Sequence, residues 1–454
     1  MTSTMPQRTL RRFLAPLIAA LVWLGEATPA LAESVTVFTN IRVFDGKATT
    51  LSPPTTVTVR GNTIAAVGQA PADLPSDARV IDGAGRTLIP GLIDAHTHMM
   101  YTLPTQSRIL TRDLGYLNVV ATRAAHEMLL RGFTSVRDTG GPVFGLKQAI
   151  DEGVVPGPRI WPSGLSISQT GGHGDFRMPN EVAADDHGHA EMLGAVADSP
   201  EEVQEEVRRQ LALGATQIKL MAGGGVASPF DPLDVTQYSP AELRAAVEAA
   251  ANWDTYVTVH AYTPGAIRQA VEAGVKSVEH GHLVDEPTAQ LMAAKGTWIV
   301  LQAFFDDEDA VPFPAGSASR AKQMEMIKGT DNAYGLVKKH RLKLAWGSDT
   351  LFDPKLASRQ GVQLAKLARW FTPGEVLRIA TGKNAELLAM SGKRNPYSGR
   401  IGVVEAGALA DLILVDGDPT RDLSLITTPE TSFLLIMKDG RIVKDITGNG
   451  LPLR

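Results

Sequence analysis

The chain has 454 residues, a net charge of −5 and 44% hydrophobic residues, ample for a large core organised as one barrel with an appended domain or as two to three domains. The mildly acidic balance leaves no footprint for nucleic acid. The absence of cysteine excludes disulfides, thiolate nucleophiles and Cys-held zinc, so any metal must be held by His, Asp, Glu or a less usual ligand.

Arg8, Arg11 and Arg12 precede the apolar stretch 13–24, and Ala30-Leu31-Ala32 follows. This reads as a secretory signal peptide, residues 1–32, cleaved after Ala32. The apolar segment falls short of the roughly 20 residues needed to cross a bilayer, so no stable membrane anchor is expected and the mature protein should be periplasmic or secreted. Residues 35–38, 56–60 and 64–68 are β-branched runs bounded by Gly, Asn and Pro, and read as short strands.

From residue 91 to 390 the pattern changes. Strand-like runs at 92–98, 134–138, 159–163, 217–221, 256–261, 277–280, 297–302 and 342–348 alternate with helical segments at 118–131, 200–213, 240–252, 265–273, 286–294 and 320–340. Ser199-Pro200 and Ser239-Pro240 each open a helix with a capping serine and Pro at the first position. Eight strands with intervening helices indicate an α/β chain folded as a (β/α)8 TIM barrel. The rival, a doubly wound open sheet, lacks its Gly-x-Gly-x-x-Gly loop after the first strand. Strands at 411–415 and 433–437, with a hairpin turn at Asp439-Gly440, close the sequence. Residues 33–90 and 391–454 are therefore expected to form one small β-sandwich domain from both chain ends.

Barrel active sites lie at the C-terminal ends of the strands, and there the chemistry-bearing residues fall. His96 and His98 share one face of the first strand because residues two apart in a strand point the same way. Lys219 lies on strand four, His260 and His280 end strands five and six, and Asp349 ends strand eight. Each alone has a structural explanation. Six on five strand ends converge on one mouth, and imidazole is the commonest ligand for zinc-like ions.

With these residues the chain resembles the amidohydrolase superfamily, from Pro90-Gly91-Leu92-Ile93-Asp94-Ala95-His96-Thr97-His98 to Gly407-Ala408-Leu409-Ala410-Asp411-Leu412. The resemblance implies two divalent metal ions, zinc by preference: His96, His98 and Asp349 on one, His260 and His280 on the other. It also implies that Lys219 is carboxylated (N6-carboxylysine) and bridges both; an ammonium there would be costly to bury and repelled by the metals. A hydroxide bridging the metals would attack the carbonyl, with Asp349 moving the proton to the departing amine. Gln169-Thr170-Gly171-Gly172-His173-Gly174-Asp175 is similar to the glycine-rich loop of exported prolidase-like and aminoacylase-like members, imidazolonepropionase-like in sequence. There the histidine helps bind the substrate carbonyl or stabilise the oxyanion. Tyr238 matches a position that binds the substrate α-carboxylate in that branch, or it is a structural residue at a helix entry. The implied substrate is a small amide or peptide with a C-terminal amino acid, ochratoxin A-type amides included. Cyclic-amide or lactone hydrolysis uses the same centre, and a non-catalytic homologue would have lost ligands that are all present here. Relatives are often homo-oligomers. His282, beside His280, and His187 and His189, in an acidic loop, rank below these as ligands.

Overall fold

The computed structural model describes residues 34–69, 72–184, 190, 193–228 and 231–448. The expected leader, residues 1–32, lies outside the described residues, as do His187 and His189. The chain begins with β1 (Val35–Val43), β2 (Thr55–Arg60), β3 (Thr63–Gly68), β4 (Arg79–Asp82) and β5 (Thr87–Pro90). β1 runs past its expected end because a bulge between Phe38 and Ile41, with Asn40 at φ 51°, re-aims it. Its first half pairs with β4 and its second half with β5, two strands of four residues each that are too short to show as a hydrophobic pattern.

Ten strands follow: β6 (Leu92–Thr97), β7 (Phe133–Asp138), β8 (Arg159–Pro162), β9 (Ser166–Ser168), β10 (Gly194–Val196), β11 (Ile218–Met221), β12 (Val257–Ala261), β13 (Ser277–His280), β14 (Trp298–Leu301) and β15 (Lys343–Trp346). Apart from the short β9 and β10, they occupy the eight positions expected from sequence. They form two parallel runs, β6–β7–β8 and β10–β9–β11–β12–β13–β14–β15. Backbone bonds cross both gaps between the runs. Thr216 N donates to Pro162 O at 2.8 Å, and Asp349 N donates to His96 O at 2.9 Å. At the second seam the strands touch so closely that a Cβ on Gly347 would lie 2.3 Å from His96 N.

Every residue of β6, β7, β8, β11, β12, β13 and β14 is buried, as strands with a filled interior on one face and helices on the other must be. Ile93, Ala95, Trp161, Trp298, Val300 and Ala345 pack with Leu387 and Leu388 into an apolar cluster inside this layer. The helices form where capping allows. Ser199 accepts from Glu202 N ahead of Pro200–Ala212, and Ser239 with Glu242 makes a full capping box ahead of Pro240–Ala251. Pro264–Ala273 stops at Gly274, whose φ of 105° is open to glycine at little cost.

The last strands, β16 (Leu412–Val415), β17 (Phe433–Lys438) and β18 (Arg441–Asp445), return to the first sheet, which runs β18–β17–β16–β5–β1–β2–β3. β16 lies antiparallel to β5, placing Ile413 opposite Ile89. Arg159, at the start of β8, reaches Asp411 at 3.0 Å and Asp439 at 2.6 Å, joining the barrel to this sheet. Among the described residues no helix is long and apolar enough to cross a membrane.

Candidate metal centre and active site

The C-terminal ends of β6, β12, β13 and β15 bring five of the expected ligands together. Asp349 Oδ1 lies 3.2 Å from His96 Nε2 and 3.5 Å from His98 Nε2. Ligand atoms of these three residues all fall within 4.8 Å of one another. The His280 ring is 5.0 Å from His96 and 4.6 Å from His260, centroid to centroid. Strand register explains part of this: Ala261 pairs with His280, so His260 and His280 lie one residue apart in level on neighbouring strands.

Two of these residues pay for their position in backbone strain. His280 has φ 74° and Asp349 φ 49°, left-handed values that non-glycine residues adopt at sites where surroundings hold them. Strict alternation would send Glu279 and His280 to opposite faces of β13. The left-handed turn at His280 lets both serve the centre, Glu279 beneath His96 and His280 beside His260.

Counting protons shows that the donor set suits a cation. His96 Nδ1 is 2.7 Å from Glu279 Oε2, and His98 Nδ1 is 3.0 Å from Gly140 O, so each neutral ring places its N–H there. Their Nε2 lone pairs then face the carboxylate of Asp349, acceptor against acceptor, and His96 Nε2 has no hydrogen-bond partner. A cation between them relieves that clash. His260 commits Nε2 to Gly224 O at 3.1 Å, and His280 commits Nδ1 to Gln302 Oε1 at 2.9 Å, leaving one ring nitrogen of each available. Burial, with cationic neighbours, holds His260 well below the ordinary imidazole range. Burial does the same for His280 despite Asp349. Neutral imidazole is the ligating form. Burial also opposes charge on His96, but Asp349 and Glu279 outweigh it and raise its pKa.

Lys219 is buried on β11, and burial pushes its ammonium down to about 8 against the pull of Glu279 and Asp349. Beneath the centre lies a charged core that the sequence pattern did not single out. Arg137, fully buried on β7, donates to Glu279 Oε1 at 2.6 Å, to Ala95 O at 2.6 Å and to the Tyr256 hydroxyl at 3.2 Å. Thr258 Oγ1 also donates to Glu279 Oε1, and Ser277 Oγ does so at 3.1 Å. Asp94 accepts from His96 N, Ser348 N and Gln360 Nε2, bracing the β6–β15 seam. Asp138 accepts from Met99 N and Gly140 N, and burial raises it to about 7. The available signal was an Arg and a Glu inside strands buried on both faces.

His173 stacks on His260 with centroids 4.1 Å apart. The ring fits because residue 225 is glycine: a Cβ there would lie 1.8 Å from His173 Cε1. Its Nδ1 is 2.9 Å from Ser228 Oγ and 3.4 Å from Asp231 Oδ2, and Ser228 Oγ donates to Asp231. Asp231 and Ser228 were not anticipated. Tyr238 is placed differently from the histidines. Its ring belongs to the apolar core, its hydroxyl has no partner among the described residues, and burial with nearby Asp198, Glu242, Glu206 and Glu202 raises its pKa. The backbone of Tyr238, at φ 64°, donates to Gln169 and accepts from Gln269, so its contact with the glycine-rich loop is through the main chain. His282 stacks behind His280 and bonds Gln302 O through Nε2, and burial lowers it to about 4.

The amidohydrolase family model matches residues 87–444, and the chain belongs to that family. Ochratoxinase of Aspergillus niger is 32% identical over 377 residues, covering 79% of this chain and 75% of that protein. Among solved structures, a prolidase complexed with N-methylphosphonate-L-proline superposes with a TM-score of 0.82 at 36% identity, covering 91% of this chain and 100% of that one. A Xaa-Pro dipeptidase with methionine bound in its active site gives a TM-score of 0.78 at 25% identity, covering 90% and 100%. The protein is a hydrolase acting on amide or peptide C–N bonds.

Proposed function

We propose that this hydrolase acts after export and releases the C-terminal amino acid from dipeptides and N-acyl amino acids, amides of the ochratoxin A type included. The observation that carries this reading is His173, seated by Gly225 and Asp231 against His260, where it can meet the carbonyl of an amide held at the centre. The similar prolidase, dipeptidase and ochratoxinase support the substrate class.

The residues fit two divalent ions, zinc by preference. His96, His98 and Asp349 would hold one, His260 and His280 the other, with Lys219 shared after carboxylation by carbon dioxide. When bound, the ions polarise the scissile carbonyl and acidify the attacking water. Burial lowers the Lys219 pKa and so favours the free amine, the form that reacts with carbon dioxide. Asp349 accepts the proton of the attacking water on a carboxylate oxygen and delivers it to the departing amine. His173 donates from Nε2 to the carbonyl oxygen. Ser228 Oγ, 2.9 Å from Nδ1, and Asp231, 3.4 Å away, orient the ring for that role. Tyr238 is not assigned to the substrate carboxylate, because its ring belongs to the apolar core and it meets the glycine-rich loop through its main chain.

The test is a hydrolysis panel of dipeptides, N-acetyl amino acids, cyclic amides and lactones, with metal analysis in parallel. Release of free amino acid from the first two classes is expected. A metal-loaded protein that opens only the cyclic substrates would overturn the assignment. Lys219→Ala is expected to lose most of one of its two ions and at least about 100-fold in kcat. Full metal occupancy in that variant would count against a shared Lys219.

A further inference from the structure

Two opposite charges hold the described loop residues 225–228 and 231 that follow β11. The buried Asp231 carboxylate accepts from Gly225 N at 2.7 Å, Gln237 Nε2 at 3.4 Å and Ser228 Oγ, and it backs His173. From the other side, the helix Ala318–His340 sends Lys322 into the same loop. Its Nζ donates to Gly225 O at 2.6 Å, Ser228 O at 2.6 Å and Asp231 O at 2.9 Å. These three bonds use every donor of the ammonium. The same three residues that seat His173 are thus gathered by one cation: Gly225 under its ring, Ser228 and Asp231 at its Nδ1. Carbonyl oxygens converging in this way repel one another unless a cation sits among them, so the approach of Gly225, Ser228 and Asp231 to one another depends on Lys322.

We propose that Lys322 is a positioning residue for catalysis, clamping the Gly225, Ser228 and Asp231 loop in the form that presents His173 to the substrate. It acts through other residues and lies outside the metal-type cluster. The proposal rests on the reading of His173 as a substrate-facing group, and it adds a dependence on a helix that carries none of the expected ligands. A surface lysine with a merely structural role would stabilise the fold without any coupling to His173.

The experiment is a double-mutant cycle in the full-length, metal-loaded protein, using the N-acetyl amino acid hydrolysed fastest in the panel. Lys322→Met is expected to lower kcat by about 10-fold, with KM and metal content near those of the parent. Lys322→Gln, which keeps two donors, should fall between. In a His173→Ala background, Lys322→Met should cost less than about twofold, because the group it positions is gone. Hydrogen exchange of loop amides should rise in Lys322→Met whether or not His173 is present. Equal losses with and without His173, or unchanged loop exchange, would overturn the proposal. If His173→Ala leaves kcat intact, the reading of His173 falls, and the clamp is judged by exchange: a deprotected loop supports it and an unchanged loop overturns it.

Discussion

Replacing Asp349 by Asn is expected to lower kcat by about 10²- to 10⁴-fold, the range for loss of a positioned acid–base group. The substitution is nearly isosteric and leaves intact the backbone bond from residue 349 N to His96 O that helps close the barrel. It removes the negative charge that His96 and His98 face at 3.2 and 3.5 Å. Although burial resists ionisation of Asp349, His96, His98 and His280 hold its pKa well below the ordinary carboxylate range, so it is available as a base at neutral pH. An asparagine amide can instead donate to one of the Nε2 lone pairs. Yet the amide carries no charge to pair with His96, whose pKa the carboxylate raises, so the metal-free variant should unfold at lower denaturant concentration than the metal-free parent, and its affinity for divalent ions should fall as well. Denaturant titration with and without metal separates the two losses. More than about a tenth of parental kcat at equal metal content would remove Asp349 from the proton transfer.

The sequence pattern carried the barrel because parallel strands buried on both faces must be apolar runs, and their spacing is fixed by the helices between them. It carried the strand-end ligands because His96, His98, His260 and His280 fall at or beside the ends of otherwise largely apolar runs. Strands β9 and β10 were missed because three residues have no period to read. Glu279 was passed over because alternation assigns it and His280 to opposite faces. Only the left-handed φ at His280 cancels that, and backbone sign at a non-glycine residue has no mark in sequence. Asp231 and Lys322 are 91 residues apart, and a loop shaped by both cannot be inferred from either alone. Tyr238 shows the converse limit. Its place at a helix entry was legible, but the burial of its ring in the apolar core and the influence of acidic residues 198–206 come from segments that meet it only in the folded chain.

Arg137→Met is expected to destabilise the fold by about 3–5 kcal/mol, the cost of breaking a buried ion pair from one side. Neither partner touches solvent: the Arg137 and Glu279 side chains are both 0% exposed. Methionine fills much of the volume but leaves the Glu279 carboxylate without its guanidinium and Tyr256 Oη without a donor. The carboxylate keeps its bonds from Thr258 and Ser277, and these do not neutralise it. Adding Glu279→Gln should recover part of the loss, since removing both charges avoids the unpaired ion. The double variant separates two roles of the pair. Glu279 Oε2 takes the Nδ1 proton of His96 at 2.7 Å, which fixes the tautomer that points an Nε2 lone pair at Asp349. Glutamine can accept that proton but orients it without charge. Metal affinity at His96 should therefore remain about 10- to 100-fold weaker even where folding stability returns. Urea unfolding of metal-free protein reads the first effect, and a competitive chelator titration reads the second. Full recovery of metal affinity in the double variant would show that the charge beneath His96 serves the fold alone.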